Sequence, residues 1–254
     1  MAELEIKGVR LGKGIPKTIV SLMAADKAGA LASLTKGLAA GVDCFELRAD
    51  FCDQVHNAKE MAALSSALNE ALPHNPLVFT FRSAGQGGAL ELPLDEYVAL
   101  NREIIAQRAA DIVDIEWGIG ADCVAELCAM AKAANVTPLV SYHDFSGTPA
   151  VEWMLDLLRD MQECGAGICK IATMANCSAD ALRLLQASEA FTRTSKVPLV
   201  SMAMGAAGSI TRLTGELFGS CMTFCALESA SAPGQVPIHE AKEIKGKLHE
   251  YVGC

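Results

Sequence analysis

Gly167-Ile168-Cys169-Lys170-Ile171-Ala172 is an apolar run with one lysine at its centre. In a β-strand successive side chains alternate faces, so Ile168, Lys170 and Ala172 share one face and Cys169 and Ile171 the other. A run that is apolar on both faces reads as a strand buried on both sides, as in a parallel sheet covered by helices. Its one charge then points inward. Two readings fit such a lysine: a structural ion pair with a buried carboxylate, or an amine kept for covalent chemistry with a carbonyl.

Seven more runs of the same kind occur, at 18–23, 44–48, 77–82, 112–116, 138–142, 198–202 and 222–227, making eight with 168–172. Between them lie segments of helical spacing: Leu31, Leu34 and Leu38; Met61, Leu64 and Leu68; Val124, Leu127, Cys128 and Ala131; Val151, Met154, Leu155 and Leu158; and finally Ala241, Ile244, Leu248 and Tyr251. Thr148-Pro149 reads as an N-cap and first-turn proline, Pro237 as the opening of the last helix, and Gly41 and Gly165 as helix ends. Between 209 and 218 the helical spacing fades. Alternating strands and helices over 254 residues predict a single α/β domain, a (β/α)8 TIM barrel spanning 18–254, preceded by an N-terminal β-hairpin within 1–17. An open doubly wound sheet is disfavoured, because no Gly-x-Gly-x-x-Gly follows the first strand.

Composition narrows the function. A net charge of -9 and a pI near 5.1 argue against a nucleic-acid surface. The N-terminus lacks the basic start and apolar core of a signal peptide, and no run is long enough for a membrane span, so a cytoplasmic protein is expected. The ten cysteines include no C-x-x-C pair and read as buried hydrophobes in a reducing compartment. Five scattered histidines suggest no metal site, and no cofactor is implied.

In a barrel the chemistry lies at the C-terminal ends of the strands. Those ends carry Glu46, Arg48 and Asp50, then Arg82, Glu116, His143, Lys170, Met202 and Met204, and Ser229 and Ser231. A lysine close to Arg48, Arg82 and Arg212 is expected to lose its proton readily, and a histidine with an ordinary pKa near ~6.5 suits proton transfer. Such a pair fits elimination of water β to a ketone, or retro-aldol cleavage, of a small hydroxylated acid held by arginines.

Several short motifs together resemble the type I 3-dehydroquinate dehydratase family over essentially the whole chain. They are Glu46-Leu47-Arg48-Ala49-Asp50, Phe81-Arg82 leading to Gly87-Gly88, His143-Asp144-Phe145, Lys170-Ile171-Ala172, Met202-Ala203-Met204-Gly205 with Arg212, and Ser231-Ala232-Pro233-Gly234-Gln235. The resemblance implies that Lys170 forms an imine with 3-dehydroquinate and that His143 is the general acid and base, in the shikimate pathway. It further implies that Arg212, Ser231 and Gln235 hold the carboxylate side and that Glu46, Arg48 and Arg82 meet hydroxyl groups. Ser21 is a further substrate-binding residue on this reading, Met202 and Phe224 pack on the ring, and the enzyme is expected to be a homodimer.

The family usually has a glutamate where this chain has Gln86, beside the catalytic histidine. An amide there is expected to leave His143 with a lower pKa than a carboxylate would. Segment 229–236 has the composition of a loop that closes over substrate. A class I aldolase, with Gly205-Ala206-Ala207-Gly208-Ser209 as an anion site, and a non-catalytic barrel made inert by Gln86 are the competing readings.

Overall fold

The computed structural model describes residues 2–252, so both ends of the expected 1–254 range, Met1 and Gly253-Cys254, lie outside the described residues. It begins with a hairpin, β1 (Leu4–Ile6) and β2 (Val9–Leu11), paired antiparallel with Ile6 opposite Val9. The two-residue turn is Lys7-Gly8, with φ of 49° and 80°, the positive values that match the twist of hairpin strands.

The repeat follows: β3 (Lys17–Leu22), α1 (Lys27–Ala39), β4 (Cys44–Arg48), α2 (Ala58–Glu70), β5 (Leu77–Thr80), α3 (Leu94–Gln107), β6 (Ile112–Glu116), α4 (Ala121–Ala133) and β7 (Thr137–Asp144). Then come α5 (Val151–Glu163), β8 (Ile168–Met174), α6 (Ser178–Thr192), β9 (Leu199–Met204), α7 (Ser209–Leu213), α8 (Gly215–Phe218), β10 (Met222–Phe224) and α9 (Ile238–Val252). The eight strands β3 to β10 form one sheet in the order β10-β3-β4-β5-β6-β7-β8-β9, and each paired neighbour is parallel. The remaining seam, β9 to β10, is joined by one bridge, with Cys221 N donating to Leu199 O at 2.7 Å and Ser220 Oγ accepting from Ser201 N at 3.0 Å. The expected α/β TIM barrel with its hairpin is the observed fold.

The alternation of strand side chains divides the core in two. Ile19, Cys44, Val78, Ile112, Leu139, Ile168 and Met222 fill the barrel, and Leu4, Ile6, Val9 and Leu11 of the hairpin pack on them. Because these are residues at the starts of strands, the hairpin covers the N-terminal mouth and leaves the C-terminal mouth open. Val20, Phe45, Phe79, Val113, Val140 and Cys169 face the helices. Ile168 and Ala172 thus lie inside with Lys170, and Cys169 and Ile171 outside, as period two requires.

Local details depart from the sequence reading where tertiary packing outweighs spacing. Thr148 does not cap α5, whose N-cap is Ala150; its hydroxyl donates instead to Met174 O at 2.8 Å, tying the loop to β8. Leu38 is exposed, because Gly37 lies so close to Phe45 that only a residue without a Cβ fits. On α9, Ile244 and Tyr251 face outward and Lys245 is buried, its ammonium donating to Pro16 O at 2.6 Å. The weak helical spacing at 209–218 corresponds to two short helices, α7 and α8. Gly41 and Gly165, with φ of +70° and +101°, do follow α1 and α5.

Phe79 is fully buried between sheet and helices. Phe79→Ala is expected to lower unfolding free energy by about 3–5 kcal/mol, whereas Leu182→Ala on the exposed face of α6 should change it by under ~0.5 kcal/mol; guanidinium denaturation checks both.

Candidate active site

Five adjacent strand ends carry charged or titratable groups inward. Arg48 closes β4, Arg82 follows β5, Asp114 and Glu116 lie on β6, His143 on β7 and Lys170 on β8. His143 is half-buried and the others are buried. Burying charge without partners costs several kcal/mol per ion, so these groups pair. Asp114, with no accessible surface, accepts from Arg82 Nη2 at 2.7 Å, Ser141 Oγ at 2.6 Å and Lys170 Nζ at 3.1 Å. Burial raises its pKa, but Arg82 and then Lys170 outweigh that and hold the carboxyl below its usual range. Arg82 also donates to Glu116 Oε1 at 2.7 Å; burial opposes its charge, and Asp114 and Glu116 more than restore it.

Lys170 Nζ is 3.7 Å from Glu46 Oε1 and 4.5 Å from the centre of the Phe224 ring. The charges nearest the amine are therefore carboxylates, which corrects the expectation of an arginine-dominated setting. β6 and β8 flank β7, so an inward Asp114 and an inward Lys170 meet across Ser141. The signal was present in Ile112-Val113-Asp114-Ile115-Glu116, where alternation puts Asp114 on the inner face of an apolar strand.

His143 differs from its expected ordinary pKa. Burial first, and then the positive charges of Arg82, Lys170 and Arg48, hold its imidazole well below 6.5, so it is neutral at neutral pH. Gln86 Oε1 lies 3.0 Å from His143 N and 3.3 Å from Nδ1. An amide oxygen only accepts, so this contact assigns the ring proton to Nδ1 and leaves the Nε2 lone pair free.

A cavity opens among these groups, lined by Lys170, His143, Gln86, Glu46, Arg48 and Arg82. Met202, Phe224, Arg212, Ser231 and Gln235 complete it, together with Gly87, Phe145, Ala172, Met204 and Ala232. Of the expected residues only Ser21 is absent from the wall. It stands behind, donating to Glu46 Oε2 at 2.5 Å and lying 3.1 Å from Ser231 Oγ.

Arg212 is the unusual cation. It is buried, and burial lowers its pKa to about 10. Its Nη2 donates to Pro233 O at 3.2 Å, but Nε and Nη1 have no partner, and among the described residues no carboxylate pairs with it. A guanidinium with orphaned donors on a cavity wall suits an anionic ligand. The segment expected to close over substrate lies folded against the site. Pro233 O accepts from Gly205 N at 3.2 Å, and Ser231 exchanges two hydrogen bonds with Gln235, of 2.9 and 2.8 Å.

Comparison with known proteins agrees with this geometry. A family model for type I 3-dehydroquinase matches residues 18–251. The chain is 39% identical over 251 residues to 3-dehydroquinate dehydratase of Escherichia coli K12, covering 98% of this chain and 100% of that one. Two crystal structures of 3-dehydroquinate dehydratases are similar throughout. The Clostridium difficile type I enzyme has a TM-score of 0.93 at 34% identity, covering 98% of each chain. The Geobacillus kaustophilus enzyme has a TM-score of 0.94 at 33% identity, covering 98% of this chain and 97% of that one. The chain belongs to the type I 3-dehydroquinase family, hydro-lyases that dehydrate 3-dehydroquinate in the shikimate pathway.

Proposed function

We propose that the reaction runs through an imine on Lys170, with His143 moving the protons. The observation that carries this reading is one cavity holding a lysine amine, a neutral imidazole and a buried guanidinium with unpartnered donors. The Clostridium difficile relative carries covalently modified comenic acid, which supports covalent chemistry in this family.

The substrate carboxylate pairs with Arg212, aided by Ser231 and Gln235, and its ring packs on Met202 and Phe224. Glu46, Arg48 and Arg82 meet hydroxyl groups, with Ser21 fixing Glu46. The attacking form of Lys170 is the neutral amine, so a proton must first leave Nζ. Asp114 is held ionised and keeps no proton, whereas the neutral His143 can take one. The amine then adds to the ketone, and the carbonyl oxygen departs as water with one proton from the nitrogen and the other handed back by His143, which is neutral again; the iminium so formed has its charge facing Asp114, Glu46 and the Phe224 ring. The iminium acidifies the adjacent carbon. His143 Nε2 removes that proton and returns it to the departing β-hydroxyl, which leaves as the second water. Hydrolysis of the iminium consumes one water and frees 3-dehydroshikimate and Lys170, so one water is released overall.

The amide of Gln86 keeps the tautomer-setting acceptor while lacking a charge. This favours an active enzyme over an inert binding barrel, and the unpartnered Arg212 favours a carboxylate substrate over a phosphorylated aldol substrate at Gly205-Ala206-Ala207-Gly208-Ser209. The proposal further takes 1–254 as one domain, working as a homodimer in the cytoplasm without a cofactor. Exposed Ile210, Leu217, Ile244 and Tyr251 on α7, α8 and α9 support the dimer, α8 and α9 being joined by His249 Nδ1 2.8 Å from Glu216 Oε1.

Borohydride added with 3-dehydroquinate should leave a reduced adduct on Lys170 by mass spectrometry, absent in Lys170→Ala; an adduct elsewhere sinks the imine assignment. Because base catalysis needs neutral His143, its lowered pKa places the acid limb of kcat below pH ~6.5. A carboxylate beside the ring favours imidazolium, so Gln86→Glu should move that limb upward by about one pH unit; superimposable profiles would remove the role given to Gln86. Sedimentation velocity should give twice the monomer mass, and a monomer at micromolar concentration refutes the dimer.

A further inference from the structure

We propose that Asp50 is a positioning residue that aims Arg48 into the cavity and, by pinning the loop 82–90 near both ends, holds the Gln86 carboxamide on His143. The inference rests on the reading of His143 as proton carrier and Arg48 as substrate contact.

Asp50 is buried and lies outside the cavity wall. Its carboxylate receives four N–H donors from three stretches of chain. Oδ1 accepts from Arg48 Nε at 2.8 Å and Oδ2 from Arg48 Nη2 at 2.6 Å, a two-pronged pair that fixes the plane of the guanidinium. The Phe51 ring, 5.1 Å from the guanidinium carbon, closes the other side. Oδ1 also accepts from Arg82 N at 3.4 Å and Oδ2 from Ala89 N at 3.0 Å.

Arg82 and Ala89 are the two feet of the loop whose crest is Gln86. Inside the loop Gln86 N and Gly88 N both donate to Ser83 O, at 2.9 and 2.8 Å, so the crest moves as a unit with its feet. A carboxylate is needed because every contact it makes is with a donor. In Asp50→Asn, whichever way the amide turns, its NH2 faces two N–H groups and breaks one prong of Arg48 together with one foot of the loop.

The charged groups that lower the His143 pKa are Arg48 from β4, Arg82 after β5 and Lys170 from β8, acting with burial. Loosening the loop hydrates the imidazole and lets Arg48 withdraw, and both changes act in the same direction.

The test is steady-state kinetics of Asp50→Asn in the wild-type and Gln86→Ala backgrounds. In the wild-type background kcat should fall by about tenfold or more, as expected for misplacement of catalytic groups, KM should rise, and the acid limb of kcat should move up toward pH ~6.5. On Gln86→Ala the further fall in kcat should shrink to under about threefold, because the part of the loss that runs through Gln86 is already gone and the misaimed Arg48, a substrate contact, weighs mainly on KM. Equal factors in the two backgrounds, or an unmoved acid limb, overturn the proposal. If Asp50→Asn does not fold, hydrogen exchange on the unaltered chain decides: the Ala89 amide should be protected like an amide of the sheet, and exchange at the rate of an open loop overturns the proposal. His143→Ala separates the two levels of inference. A variant that keeps its kcat refutes the underlying mechanism, whereas an inactive one with additive Asp50 effects refutes only the role of Asp50.

Discussion

The buried carboxylate of Asp114 is the constraint on which the site depends. Inside a barrel an unpaired charge is far more costly than at the surface, and Asp114 is tolerable only because Arg82, Lys170 and Ser141 all donate to it. The reverse also holds: Lys170 and Arg82 can stand with little access to water because Asp114, Glu46 and Glu116 are there. The network fixes the amine in direction, and it leaves the nitrogen in an environment that accepts positive charge, which is what the proposed imine requires. The low pKa of His143 follows from the same concentration of cations, after burial itself.

The architecture makes such a concentration affordable. Eight short strands bring eight C-terminal ends to one rim, and the hairpin seals the opposite mouth with Leu4, Ile6, Val9 and Leu11. Apolar stability is thereby gathered in the lower barrel and in the layer between sheet and helices. The upper rim is left free to hold polar groups that contribute little to folding and much to chemistry. Arg212 shows the division most clearly, since its two partnerless nitrogens stand on the cavity wall rather than in the apolar layers.

The strand rhythm, the inward face of Lys170 and the gathering of polar residues after strands 2 to 8 of the barrel were all legible in the amino-acid order, because alternation and helical spacing are properties of the local backbone. Most of the residues now lining the cavity were named from it, and the resemblance carried by Glu46 to Asp50 and Ser231 to Gln235 made the residue set sharper than composition could. What it misjudged were matters of partnership. Thr148 was read as a cap and serves β8; Leu38 continues the spacing of Leu31 and Leu34 yet lies exposed while Gly37 meets Phe45; Ile244 and Tyr251 share the spacing of Ala241 yet face outward while Lys245 is buried. In each case a short-range pattern met a long-range contact, and the contact prevailed.

The sequence by itself determined the fold class, the inward lysine and the chemical inventory of the rim, since periods of 2 and 3.6 residues are set by covalent geometry and need no knowledge of distant neighbours. Only the tertiary structure decided that Lys170 meets Asp114, 56 positions away, before it meets any arginine, that Gln86 points its oxygen at His143, and that Arg212 is left without a carboxylate. Those pairings depend on how far each strand is staggered against the next as the sheet closes, and on which loops fold back over the rim. A displacement of one residue in that register would turn an inward charge outward.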